Sequence, residues 1–303
     1  MDRAKQETRA GEPWMTRIKE YKIASAFRSA IEDRLKTISE KEKVDIQRLR
    51  RQFAFDRLLA RLFRGGSPPW ILKGGYAMQL RTTQSRTTKD IDLAIQETKL
   101  FSGDSEHQLL LEKLRDKAEV DLKDFCLFQI TGPIMDLDAA PYGGARFHIN
   151  LILDDRSFEK FHLDIGIGDA VIEPLDELTP RNWLDFAGFE SQKYPSLSKE
   201  QQLAEKIHAY TLPRSSDREN SRVKDLIDML LFIELNSLNL KFLKTAIDET
   251  FKQRETHNFK PELPQPPASW ARPFAKLAKE CSLTTDLEKA YEIVRTYVLR
   301  LNL

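Results

Sequence analysis

Apolar positions recur at near-helical spacing over residues 20–39 and again over 44–64, so two helices are predicted there. In the second, Ile46, Leu49, Phe53, Leu58, Leu59, Leu62 and Phe63 form a stripe between arginines, and Gly65, Gly66, Pro68 and Pro69 end it. The period then changes. WILK (70–73) reads as a short strand, GGYAMQLRT (74–82) as a glycine turn opening a helix, and DIDLAI (90–95) as a strand of alternating polar and apolar residues. Residues 108–124 predict another helix, and FCLFQI (125–130), RFHINLIL (146–153) and FEKFHLDIGI (158–167) predict three more strands. From about Pro174 the pattern turns helical, most clearly at 198–212 and 221–235, with RSSDRENSR between them as a loop. PELPQPP (261–267) then separates two terminal helical segments. The order implies an α/β (α+β), bi-lobed chain: an N-terminal lobe over 1–173 built on a mixed sheet with helices, and a C-terminal helical lobe over 174–303.

A chain of 303 residues with 41% hydrophobic and 31% charged side chains has enough apolar surface for a substantial core. Its formal net charge of +1 conceals an uneven distribution. Between positions 48 and 89, ten lysines and arginines are opposed only by Asp56. Such a local excess attracts phosphates or nucleic acid, or else belongs to a solvated helix face. The two cysteines, Cys126 and Cys281, lack metal-binding or disulfide spacing and fit a reducing compartment. The N-terminal MDRAKQETRAGEPW has no apolar signal core, and no long apolar run follows. A cytoplasmic protein with no membrane association is therefore expected.

Asp90 and Asp92 lie two apart in a predicted strand and so project from the same face. Two anions so close need a cation between them, and magnesium, held by one or two carboxylates together with substrate phosphates, suits the pair. HLD supplies a third carboxylate, Asp164, from a strand that could pair beside DIDLAI, which would let the site serve in-line phosphoryl or nucleotidyl transfer. The glycine turn upstream can bring backbone N–H groups to phosphates, with Lys73, Lys89 and nearby arginines adding attraction. Taken singly, a DxD is also what a solvent-facing strand looks like. His162 falls on the face of Asp164, and His148 in the preceding strand; catalysis and ordinary sheet packing are both open to them.

The strand, GG turn, helix and DxD resemble the polymerase-beta-type nucleotidyltransferase fold. More narrowly, "LKGGYAMQLR…TTKDIDL", "QQLAEKIHAY" and "RVKDLIDML" in this order resemble the AbiEii/AbiGii nucleotidyltransferase toxin family, which includes the MenT toxins. The resemblance spans roughly residues 70 to 235. Gln201, Lys206 and Tyr210 match its Q-x4-K-x3-Y motif, and Asp225 its later aspartate. Tyr76 stands where the family often carries a small hydroxyl residue.

The resemblance implies a magnesium-dependent enzyme using a nucleoside triphosphate (NTP). Its expected acceptor is RNA, in particular the 3′ end of transfer RNA, so that translation and growth stop, and a cognate antitoxin is the expected partner. On this basis Asp90, Asp92 and Asp164 are expected to hold metal, with Asp164 also activating the acceptor hydroxyl. Lys206 and Asp225 would complete the catalytic set. Lys73, Gly74, Gly75, Tyr76, Lys89, Tyr210, Arg222 and Lys224 are expected at the nucleotide, and the basic helix at 48–64 is expected to guide the RNA. Independently of the family, Lys206 and Tyr210 share a helix face, where they could meet a triphosphate or simply pair with Glu200 or Glu205 and pack. Two rival functions remain at this level: a catalytically silent nucleotide- or RNA-binding regulator, and transfer to a protein or small-molecule acceptor.

Overall fold

The computed structural model describes residues 20–65, 68–95, 106–136, 141–214 and 219–301. The N-terminal MDRAKQETRAGEPW, Gly66 and the centre of the RSSDRENSR loop lie outside the described residues. Two helices open the chain, α1 (Ala24–Glu42) and α2 (Ile46–Leu62), followed by β1 (Trp70–Lys73), α3 (Gly74–Arg81) and β2 (Asp90–Ile95). Next come α4 (Glu106–Ala118), β3 (Leu127–Asp136), β4 (Gly144–Leu153), β5 (Arg156–Ile167), β6 (Asp176–Leu178) and β7 (Tyr194–Ser196). The rest is helical: α5 (Lys199–Thr211), α6 (Val223–Glu234), α7 (Leu240–Arg254), α8 (Ala271–Glu280) and α9 (Leu287–Leu299). None of the helices described is long and apolar enough to cross a membrane.

The strands form one mixed sheet in the order β3-β4-β5-β2-β1-β7-β6. At its centre β2 runs antiparallel to β1 and parallel to β5. Strand alternation divides the two faces. Ile91, Leu93, Phe161, Leu163 and Ile165 point into a core shared with α1, α2 and α4, while Asp90, Asp92, His162 and Asp164 take the other face. A second core is built from α5 to α9 around α6, whose residues Leu226 to Phe232 are all buried, and Met78 of α3 joins it from the first lobe. Local chemistry fixes the helix starts: Asp45 accepts from the Arg48 N–H at 2.9 Å, and Ser198 from the Gln201 N–H at 3.1 Å.

The sheet runs past the 173/174 boundary expected from the sequence: β6 and β7 extend it to Ser196. These strands have three residues each, too few to show a period, and β7 is recruited by Ser196, whose hydroxyl donates to the Leu72 carbonyl at 2.8 Å. The arginines of α2, expected to guide RNA, are tied instead to partners within the protein. Arg57 and Arg61 are buried on Asp124 at 2.7 and 2.6 Å, Arg51 meets Glu159 at 3.2 Å, Arg50 pairs with Glu32, and Arg48 donates to the Ser85 carbonyl at 2.9 Å. The positive run is answered by acids from distant parts of the chain, which local charge counting does not see.

Candidate active site

The carboxylate pair is positioned by sheet register. Lys73 and Gly74 turn the chain out of β1 directly beside Asp92, which faces Lys73 across the β1–β2 pair and Asp164 across the β2–β5 pair. Gly74 has φ +69° and leaves no room for a side chain: a Cβ there would meet the Asp92 carboxylate at 2.0 Å. The Gly75 N–H points at Asp92 Oδ2 from 3.4 Å. Burial, reinforced by repulsion from Asp164 and Asp90 and only partly relieved by Lys73, raises the Asp92 carboxyl to about 6. Asp90, half-buried, touches His162 Nδ1 at 3.3 Å, and His162 stacks on His148 with ring centroids 4.8 Å apart.

The opposite wall comes from α5 and α6. Lys206 reaches Asp225 at 3.0 Å and Asp228 at 2.7 Å, and Asp228 also receives a two-pronged bond from Arg86 at 2.9 and 2.8 Å. Burial alone would lower the Lys206 ammonium, but Asp228 and then Asp225 hold it above its ordinary value. Arg86 lies in the loop before β2, so this cluster ties the two lobes together. A second tie joins Lys73 to Asp169, Asp169 to Arg254 at 2.6 Å, and Glu205 to both cations at 3.6 and 3.7 Å. Between the walls lies a cleft of about 860 Å³, within the range of small-ligand sites.

Most of the expected residues line this cleft: Lys73, Gly74 and Gly75 from the turn, Lys89, Asp90 and Asp92 at β2, Asp164 on β5, and Lys206, Arg222, Lys224 and Asp225 from the helices. Two tyrosines do not. Tyr76 is buried in the first core, its hydroxyl donating to Asp56 at 2.6 Å, and Tyr210 is buried in the second, donating to the Pro264 carbonyl at 3.1 Å. Both follow the apolar stripe of their helices, which decides their direction. Lys73 is at the cleft but is committed to Asp169 rather than free for phosphate. Sequence reasoning did not assign Arg86, Asp228, Glu205 or Arg254, whose roles depend on contacts between lobes. It also missed Arg146, whose fork holds Asp164 at 2.7 and 2.6 Å. Strand alternation, which puts Arg146 on the face of His148, was the available signal.

Among the described residues no group of three metal-ligating side chains converges. Asp90 and Asp92 nevertheless fit a hard divalent cation that keeps several waters and takes its remaining ligands from phosphates. They are two carboxylates on one strand face, and Lys73 and Lys206 only partly offset the burial and repulsion at Asp92.

Sheet, glycine turn and facing helical wall define a nucleotidyltransferase. Over residues 57–294 the chain matches the family described as nucleotidyl transferase AbiEii toxin, type IV toxin–antitoxin system, and it belongs to that family. It is therefore a nucleotidyltransferase toxin of a system that includes an antitoxin. The fold is similar to that of MenT4, a nucleotidyltransferase toxin from Mycobacterium tuberculosis, with 13% identity, a TM-score of 0.52, and coverage of 90% of this chain and 98% of that one. JHP933 from Helicobacter pylori matches at 14% identity and a TM-score of 0.46, over 85% of this chain and 94% of its own. No curated protein matches the chain.

Proposed function

We propose that the protein is a magnesium-dependent toxin that transfers a nucleotide from an NTP to an RNA acceptor in the cytoplasm. The 3′ end of transfer RNA is the proposed target, and its modification would halt translation and growth. One observation carries this reading: Asp92 lies beneath the Gly74–Gly75 turn with Asp90 beside it on the same strand face, and the two line a cleft of nucleotide size together with Lys206.

In this reading the acceptor oxygen attacks the α-phosphorus, the bond from that phosphorus to the bridging oxygen breaks, and pyrophosphate leaves. Asp164 takes the acceptor proton. Lys206 and Arg86 meet the charge that builds on the leaving pyrophosphate, while the turn N–H groups cradle the phosphates. Lys89, Arg222 and Lys224, at the cleft rim, draw the polyanions in. Magnesium, held by Asp90 and Asp92, would supply neutralisation of phosphate oxygens and a more acidic acceptor hydroxyl.

The test is incubation of the purified protein with each labelled NTP, magnesium and total transfer RNA. Label is expected to move onto RNA and to stay free with Asp92→Asn. Absence of transfer with every nucleotide would overturn the reading.

A further inference from the structure

The three cleft carboxylates are not equivalent. Among the described residues, the Asp92 carboxylate has only the distant Gly75 N–H and that of Asp90 only the His162 contact, but both oxygens of Asp164 are taken by Arg146, Nε at 2.7 Å and a terminal nitrogen at 2.6 Å. The pairing is built into the sheet, because Arg146 and Asp164 are register partners on β4 and β5. A carboxylate with both oxygens held by a bidentate guanidinium has no oxygen free to take a metal or an acceptor hydroxyl. In this arrangement Asp164 therefore serves neither role.

Arg146 is also able to leave. Its side chain keeps 26% of its surface exposed against 13% for Asp164, it lines the open cleft, and it has no other anionic partner within salt-bridge distance among the described residues. An ion pair that is partly open to solvent is a modest interaction, and phosphate accepts the same two-pronged bond that carboxylate does.

We propose that Arg146 is a displaceable counter-ion: it holds Asp164 out of action until a phosphate of the acceptor strand takes the guanidinium. This rests on the nucleotidyl transfer proposed above and adds a control step to it. With no acceptor bound, both Asp164 oxygens stay on Arg146 and cannot accept a hydrogen bond from water, so hydrolysis of the NTP to nucleoside monophosphate and pyrophosphate is suppressed. With acceptor bound, Arg146 anchors the strand and Asp164 receives the proton of the attacking hydroxyl. Arg146 is thus a positioning residue for Asp164 as well as an acceptor contact.

Manganese(II) binding to the nucleotide-free protein, measured by calorimetry, reads the competition directly. Arg146→Ala is expected to bind manganese about fivefold more tightly than the unmodified protein, and the gain is expected to vanish in Arg146→Ala/Asp164→Asn. Arg146→Lys keeps the charge and stem but not the fork, so it is expected to show a smaller gain, and it decides the matter if the alanine variant does not fold. In turnover, Arg146→Ala is expected to raise acceptor-independent pyrophosphate release about tenfold, and to raise KM for the RNA more than it lowers kcat. A structural role would change melting temperature and kcat without tightening manganese.

Unchanged or weaker manganese binding in the folded variants overturns the proposal. So does tighter manganese binding without increased pyrophosphate release, provided that the unmodified protein transfers label to RNA. The manganese measurement needs no acceptor, so failure of the labelled-RNA assay and failure of the Arg146 role remain separate results.

Discussion

Gly74 and Asp92 approach so closely that a Cβ on Gly74 would lie 2.0 Å from Asp92 Oδ2. The left-handed backbone at Gly74, φ +69°, is what folds the turn over the carboxylate, so Gly74→Ala carries two penalties at once. Backbone strain costs about 1–2 kcal/mol, and the methyl displaces the carboxylate proposed to hold metal by a distance for which about a hundredfold in rate is ordinary. Activity is expected to fall by about that factor. Gly65→Ala is the control: it has φ +77° with nothing within 4 Å of the added methyl, so it carries the strain alone. It is expected to lower the melting temperature while sparing turnover. Comparable activity losses in the two variants would refute the close-approach account.

The buried α2 arginines make a prediction opposite to the one their sequence suggests. Arg61 is 1% exposed, and its fork meets Asp124, whose carboxyl is held below its usual range, against burial, by Arg61 and Arg57. Arg61→Gln leaves a buried carboxylate short of a partner, and unfolding free energy is expected to drop by about 3–5 kcal/mol. The salt dependence of RNA binding by the folded fraction is expected to stay as it is, since no phosphate contact is lost. A flatter salt slope with intact stability would return α2 to the RNA-binding surface.

Asp56 gives the fold a pH dependence of its own. It accepts from Tyr76 Oη at 2.6 Å and Trp183 Nε1 at 2.5 Å, yet burial outweighs these bonds and pushes its carboxyl up from 3.8 to about 7. A raised acid favours the folded state while protonated, so the stabilisation is complete below about 4 and lost as pH rises through about 7. The amide introduced by Asp56→Asn can imitate the protonated acid, donating to Tyr76 Oη and accepting from Trp183. Between about pH 5 and about pH 8, Asp56→Asn is expected to spare about 2–3 kcal/mol of the stability the unmodified protein loses. Parallel urea-unfolding curves for the two proteins across that range would refute it.

What could be read from the chain was whatever repeats locally. The alternation of DIDLAI places Asp90 and Asp92 on one face, and the stripe of α2 marks a buried helix. Even the partner strand of β2 follows from HLD repeating the same alternation. What could not be read depends on which distant groups meet. The arginines of α2 look solvated until Asp124 and Glu159 are brought to them. Tyr210 looks like a nucleotide contact beside Lys206, but its position relative to Leu203 and Ile207 turns it inward. The Arg86–Asp228–Lys206 cluster exists only after the lobes dock, so no spacing in one segment encodes it.

Lys206 is where lobe docking and catalysis meet. It stands between Asp225 and Asp228, and with Arg86 it forms a buried core of two cations and two anions, to which the more exposed Arg222 adds a contact with Asp225 at 3.7 Å. A triphosphate entering the cleft competes for these cations, and the competition sharpens as charge moves onto the leaving pyrophosphate. Lys206→Ala is therefore expected to lower kcat about a hundredfold and to weaken nucleotide affinity by less than about tenfold. Lys199, on the same helix, donates only to Ser237 Oγ at the surface, and Lys199→Ala is expected to change neither quantity. Removing Lys206 also leaves a surplus buried anion, which would lower kcat simply by loosening the fold. Lys206→Ala/Asp225→Asn, read against Asp225→Asn alone, removes that ambiguity: its melting temperature is expected to recover while its turnover stays well below that of Asp225→Asn. Recovery of turnover together with stability would show that Lys206 serves the docking of the lobes and not the transfer step.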